Sequence, residues 1–406
     1  MGPDNLAVAR WLTSPEAETW LRWSAASQEP LVAQVRYLRR HLSAAQTHAV
    51  LELVELRRRA AGKFSRASQM FFTRQALEQS TSEVIAGWKA RRITEMTSSA
   101  GKDRVVIADL CCGIGGDLMF LAQAGTVVGI ERDPVVAELA RANLALVASC
   151  GSEIRCEDVR NFDVGACSVW HLDPDRRAQG RRVSQPEFAE PGLETIQSFL
   201  QRNPQGAVKL APAGHVPESW EAQCEREWIS EEGECKQQVA WFGRLIRRPG
   251  QRCATVLSKH FSPRTLYGQG KSWRVSDRIG QYLYEPDAAV LAAGLAGDLA
   301  AEHDAAALGV DVAYFTSDRL TIDAAWSAFH VIDVIPFDRK RLKALLQQRG
   351  IGRVEVKKRG VDVDVERLQR DLRTPGEESA TVLIAPMAGR VTAILAQRLP
   401  ATIAQE

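Results

Sequence analysis

The chain has 406 residues, of which 45% are hydrophobic and 25% charged, with a formal net charge of +2. That length holds two or three domains, each with its own core, and the composition is that of a globular protein rather than a disordered or fibrous one. No run of about 18 uncharged apolar residues occurs. The best candidate, 288–310, carries Asp298, Glu302, His303 and Asp304, so no membrane span is expected, and Met1 to Ser14 lack the basic flank and apolar run of a secretory leader.

Eight cysteines stand at 111, 112, 150, 156, 167, 224, 235 and 253, and none forms a CxxC pair. Reduced thiols, a cytoplasmic location and no metal site are the expectation. Near-neutral overall charge hides segregation. Basic clusters occur at Arg57-Arg58-Arg59, Arg176-Arg177 with Arg181-Arg182, Arg339-Lys340-Arg341 and Lys357-Lys358-Arg359. Such clustering suits a polyanionic partner.

In chain order, residues 1–98 read as helices, with apolar residues at helical spacing in "HAVLELVELRRR". "TSSAGKDR", 97–104, is a polar linker. From 105 the pattern changes to short apolar strands: "VVIADL", "TVVGIE", "SVWHLD" and "AVKLAP". Helical patterns lie between the first two and after the second, which predicts an α/β fold with a mostly parallel sheet. "REWISEEGECKQQVAWFG" reads as two strands about a Glu-Glu-Gly turn, an antiparallel pair finishing the sheet. Residues 273 to about 330 give no clear pattern. Then "WSAFHVIDVIPF" is a strand and "DRKRLKALLQQRGI" a helix capped by Asp338 and stopped at Gly350. "RVEVKKRGV" is a strand, "DVERLQRDLRT" a helix, and "ATVLIAP" with "RVTAILAQRL" a hairpin. Three segments follow: a helical one over 1–98, an α/β domain over 99–272, and 273–406 with a small α/β core over about 328–400.

The chemistry concentrates at "DLCCGIGGD", where the first strand ends. Glycines there let the backbone approach a ligand closely, and ligands of open parallel sheets lie beyond the strand carboxyl ends. A dinucleotide fingerprint would need a small residue where Leu118 stands, and no Gly-Lys-Ser/Thr follows as in a phosphate loop. Strand two ends in Glu131, 22 residues after Asp109, where an acid can chelate a ribose. Asp158 falls in a loop that can receive an adenine amino group, and Asp173-Pro174 ends the fourth strand. Four acids at strand tips without a phosphate-binding lysine describe a pocket for a positively charged nucleoside. S-adenosylmethionine is such a ligand.

"DLCCGIGGD…GIERD…CEDVRNF…HLDP" resembles the motif series of class I S-adenosylmethionine-dependent methyltransferases, over roughly residues 105–260. The resemblance implies a Rossmann-like domain with a terminal antiparallel strand. It places Asp109, Gly113 and Gly115 at the methionine end, Glu131 on the ribose, Asp158 and Val159 about the adenine, and Asp173 before the transferred methyl. Cys111, Gly116, Asp117 and Arg132 complete the implied cofactor set. "FFTRQALEQSTSEVIAGWKARRI" resembles the helical lead-in of trimethylguanosine synthases, which lies over the cofactor. "IGRVEVKKRGVDVDVERLQRDL" resembles the THUMP-like domain of a group of bacterial methyltransferases. True THUMP domains bind structured RNA, so the implied partner is RNA, tRNA or rRNA.

Amino-directed nucleic-acid methyltransferases aim the base amine with Asn/Asp/Ser-Pro-Pro-aromatic. This chain has Asp173-Pro174-Asp175-Arg176 instead. Asp173 and Pro174 are the expected catalytic pair. Arg176, Arg177 and Arg181 suit a phosphate backbone, and a guanidinium can also stack on a base. Lys357, Lys358 and Arg359 are expected to dock RNA. The alternatives are a small-molecule or protein methyltransferase whose C-terminal module is a lid or interface, and a non-catalytic RNA-binding protein. Nothing in the sequence fixes the oligomeric state.

Overall fold

The computed structural model describes residues 3–98, 105–147, 151–175, 190–258 and 261–400. They form two compact units, Met1–Cys224 with Val239–Arg247, and Glu225–Gln238 with Arg248–Glu406. No helix among the described residues is long and apolar enough to cross a membrane.

The first unit begins with helices α1 (Pro3–Leu12), α2 (Pro15–Ala26), α3 (Leu31–Leu38), α4 (Ala44–Ala60), α5 (Arg74–Gln79) and α6 (Glu83–Ser98). A capping box starts α4: Ser43 Oγ accepts from the Gln46 amide, and Gln46 Oε1 accepts from the Ser43 amide. The alternating part follows as β1 (Val106–Leu110), α7 (Leu118–Leu121), β2 (Thr126–Glu131), α8 (Pro134–Ala145), β3 (Glu153–Cys156), β4 (Val169–Leu172), α9 (Leu193–Arg202), β5 (Gly206–Leu210) and α10 (Glu218–Glu221). Val50, Leu53, Leu56, Phe64 and Met70 of the helical region share one apolar cluster with Ile114, Met119, Val135 and Leu139. The change of pattern near residue 98 therefore marks a change of element type within a continuous core.

The strands β3, β2, β1, β4 and β5 lie side by side in that order, all parallel. The chain moves outward from β1 through β2 to β3, then returns to the other side of β1 with β4. Strand order thus reverses between β1 and β4, where Asp109 lies opposite His171. Beneath the sheet, Trp170 is fully buried and edge-on to Phe199, and its indole donates to the Asn203 carbonyl.

The second unit holds β6 (Cys224–Glu231), whose first residue belongs to the first unit, and β7 (Glu234–Phe242), whose end, Val239–Phe242, does so too. They meet at a turn with positive φ at Glu232 and Gly233, as the Glu-Glu-Gly pattern suggested. Next come β8 (Arg252–Leu257), parallel to β6, and β9 (Arg264–Gly268), antiparallel to β8. The segment without a clear pattern forms β10 (Tyr282–Pro286), α11 (Ala288–Ala292), α12 (Ala296–Glu302), β11 (Ala306–Gly309) and β12 (Val312–Ser317). The remainder is β13 (Trp326–Pro336), α13 (Arg339–Gln348), β14 (Ile351–Lys358), α14 (Val365–Asp371), β15 (Glu378–Met387) and β16 (Arg390–Arg398). These strands form one seven-stranded sheet ordered β11-β12-β10-β13-β16-β15-β14, antiparallel except for β14 with β15. The unread segment is thus part of the same sheet as the C-terminal module. Its short strands and two short Ala-rich helices carry too few residues for either period to emerge.

Gly206 leaves the space that Trp170 fills: a Cβ there would stand 2.3 Å from the indole Cζ2. Gly206→Ala is expected to destabilise the first unit by about 1–3 kcal/mol through overpacking. The midpoint of denaturant unfolding, with an unchanged slope, checks this.

Candidate active site

The site is built at the strand-order reversal, where ligands of this architecture bind. Asp109 is the next-to-last residue of β1, and beyond Leu110 the chain turns through Cys111 (φ 60°), Gly113 (φ 56°) and Gly115 (φ 82°) before α7. Left-handed backbone at Cys111 is unfavourable for a residue with a Cβ, whereas the two glycines adopt it freely. A Cβ on Gly113 would meet no atom within 4 Å, so the turn exposes its backbone to open space there. Burial pushes the thiols of Cys111 and Cys112 up, and Glu131, Asp173 and Asp109 push Cys111 further. Both are neutral thiols, which removes thiolate chemistry from the turn.

At the tip of β2, Glu131 spans the turn. Its Oε2 accepts from the Gly113 amide at 3.1 Å and its Oε1 from the Asp133 amide at 2.9 Å. Burial raises its carboxyl, and those two bonds oppose the rise. Each oxygen keeps a lone pair for a further donor. Arg132 is exposed and paired with Glu190 at 2.7 Å. Asp158 caps the short turn Val159–Asn161 and is gripped by Arg160, which holds its carboxyl at about 2. Val159 beside it is buried. Gly116 sits against Thr81. Arg176, Arg177 and Arg181 lie outside the described residues.

A buried polar chain that the sequence reading missed joins these positions. Lys209 of β5 donates from Nζ to Asp173 Oδ2 at 2.5 Å and to Thr81 Oγ1 at 3.1 Å. Thr81 donates to Asp117 Oδ2 at 2.8 Å, and Asp117 Oδ1 lies 2.7 Å from Lys89 Nζ. Lys89 Nζ approaches His171 Nε2 at 3.1 Å, and His171 Nδ1 reaches Asp109 Oδ1 at 2.7 Å. An ammonium facing Nε2 makes that nitrogen the acceptor, so these bonds assign the proton to Nδ1 and leave His171 neutral. All members but Asp173 are buried; the side chain of Asp173 remains 25% exposed.

The two inner carboxyls respond oppositely. Burial pushes Asp117 up, but the ammonium groups of Lys89, which also donates to it, and Lys209 outweigh it and hold the group well below the usual range. Burial dominates at Asp109 and holds it up, against the opposing bond from His171. Its Oδ2 is buried without a hydrogen-bond partner among the described residues.

The cations expected to dock RNA, Lys357 and Lys358 of β14 and Arg359 just after it, are gathered but internally engaged. Lys357 pairs with Glu285 at 2.7 Å and Arg359 with the same carboxylate at 3.3 Å, both half-buried. Lys358 donates to the Val363 carbonyl. Elsewhere in that unit, Glu302, His303 and Asp323 can converge on a metal, but Arg264 already donates to both carboxylates.

An open parallel sheet with acids at the tips of β1, β2 and β4 and a glycine turn after β1 defines a class I methyltransferase. The comparisons carry this to a family. Relatives from two strains of Mycobacterium tuberculosis, CDC 1551 / Oshkosh and ATCC 25618 / H37Rv, are each 32% identical over 345 residues, covering 82% of this chain and 91% of theirs. Both are named as uncharacterized S-adenosylmethionine-dependent methyltransferases. The chain belongs to that family, and its cofactor is S-adenosylmethionine. Residues 326–398 match the THUMP domain-like family. A crystal structure assigned as a methyltransferase from Porphyromonas gingivalis W83 shares the fold at 19% identity, with a TM-score of 0.74 over 98% of both chains.

The residues present fit that cofactor. Asp109 has an uncompensated buried oxygen suited to a cation, Glu131 has spare acceptor capacity for ribose hydroxyls, and Gly113 faces open space.

Asp117, with its lowered carboxyl, stabilises the fold at pH values above its unfolded pKa, a contribution lost as pH falls toward the folded one; Asp109, with its raised carboxyl, does the reverse. At pH 7, Asp117→Asn is therefore expected to cost about 3–5 kcal/mol by leaving Lys89 buried and unpaired. Asp109→Asn retains the acceptor for His171 and removes a carboxyl that burial holds up, so at pH 7 it should leave stability unchanged or raise it. Denaturant unfolding of the two variants side by side checks the contrast.

Proposed function

We propose that this protein is a cytoplasmic enzyme that methylates a base in structured tRNA or rRNA, the C-terminal domain docking the RNA. The observation carrying this reading is the match of residues 326–398 to the THUMP domain-like family on a methyltransferase chain. When bound, S-adenosylmethionine supplies an electrophilic methyl on a sulfonium. Asp109 and the turn of Cys111, Gly113, Gly115 and Gly116 hold its methionine end, Asp117 fixes the turn through Lys89 and Thr81, and Glu131 with Arg132 serves the ribose. Val159 and Asp158 flank the adenine. Asp173 Oδ2 is taken by Lys209, so Oδ1 and the Pro174 carbonyl are the acceptors that aim a base amine. Methyl transfer to a neutral amine then needs chiefly alignment.

The docking reading shifts from β14 to the helices beside it. Leu342 and Leu346 of α13 and Leu368 of α14 are buried in one cluster with Val354 and Val356 of β14, and Lys343 Nζ donates to the Asp371 carbonyl. On the exposed sides, Lys340, Arg341, Arg367 and Arg370 have no carboxylate partner among the described residues. They are the cations available to phosphates, with Arg176, Arg177 and Arg181 as further candidates near Asp173 in sequence.

Arg176 in place of the aromatic favours a second reading, a small-molecule or protein methyltransferase. Incubation with tritiated-methyl cofactor and total RNA from a deletion strain separates the two. Label is expected in one RNA nucleoside; label only in a metabolite or protein fraction supports the second reading. Asp173→Ala should lower turnover at least about 100-fold while changing cofactor affinity about tenfold or less. Replacing Lys340, Arg341, Arg367 and Arg370 by Ala should weaken RNA binding and flatten its salt dependence by roughly one slope unit per lost phosphate contact. Lys357→Ala should instead lower stability, because Glu285 loses a partner. Filter binding across a salt series, with thermal melts, measures both.

A further inference from the structure

The chain of buried groups crosses the whole site, from Asp109 at the tip of β1 to Asp173 at the tip of β4. Within it three carboxylates, Asp109, Asp117 and Asp173, face two ammonium groups, Lys89 and Lys209. With His171 neutral, one negative charge is left over. Geometry says where it resides. Asp117 is in contact with Lys89 and Thr81, and Asp173 with Lys209, whereas Asp109 has only a neutral imidazole on Oδ1 and nothing on Oδ2.

We propose that this network is a charge filter, in which the uncompensated carboxylate of Asp109 favours the cationic methyl donor over its neutral demethylated product, and Lys209 sets how strong that preference is. The donor carries a sulfonium and the product a thioether; otherwise their functional groups are the same. A fixed negative charge in a water-poor site distinguishes them, while contacts to ribose and adenine do not. Glu131 contributes to both ligands alike through the ribose. Lys209 matters because it neutralises Asp173; without it the network holds two uncompensated charges. Lys209 is thus a positioning and specificity residue, acting through Asp173. The inference rests on the cofactor and not on the RNA acceptor, so failure to methylate RNA leaves it standing.

The test is calorimetric titration of the full-length protein at pH 8 with S-adenosylmethionine and, separately, S-adenosylhomocysteine, read as the ratio of the two dissociation constants. Lys209→Met should raise the preference for the methyl donor about three- to tenfold, and Asp109→Asn should lower it about tenfold. Lys209→Arg, which keeps the charge, should restore the wild-type ratio. A ratio within twofold of wild type in both Lys209→Met and Asp109→Asn overturns the proposal, as does a shift of both in one direction. Should Lys209→Met not fold, Asp109→Asn decides alone, since its acceptor for His171 is retained. Ligand-induced shifts in Tm for the same proteins give a second readout.

Discussion

The site depends on pairing carboxylates with ammonium groups away from water. A buried ion pair gains little stability by itself, and removing one partner is far costlier than never having made the pair. Here Lys89 joins the turn after β1 to α6, and Lys209 joins β5 to the end of β4. Thr81 links the two pairs with one hydroxyl that both donates and accepts. The glycine turn, whose Cys111 holds an unfavourable backbone angle, is thereby fixed from three sides.

Much of this was legible in the sequence. Asp109, Glu131 and Asp173 each end an apolar run, and a carboxylate at that place in a parallel sheet points to the ligand side. The four strands β1, β2, β4 and β5 fell where the apolar runs put them. Lys89, His171 and Lys209 were harder, because a polar residue within an apolar element does not name its partner. A signal existed. Lys89 lies four residues after Ile85 and four before Ile93, on the face that packs inward, and Lys209 interrupts an otherwise apolar strand. Each announces a buried cation, but the acids they meet, Asp117 and Asp173, are 28 and 36 residues away and only the fold brings them together.

The second unit pairs cations that the sequence shows only as a run. Lys357, Lys358 and Arg359 look like a patch because they are consecutive, yet alternation along a strand and a shared acid at Glu285 of β10 absorb them. Glu285 comes from the stretch that gave no pattern, so its role was hidden along with the strand. The helical cations of α13 and α14 remain exposed because Leu342, Leu346 and Leu368 turn the other side of each helix inward.

Thr81 and Lys89 precede β1, so the portion of the gene encoding every strand of the sheet does not encode the whole pocket. A truncated product starting at Val105 would retain the recognisable motifs while leaving Asp117 buried with neither its hydroxyl nor its primary ammonium partner.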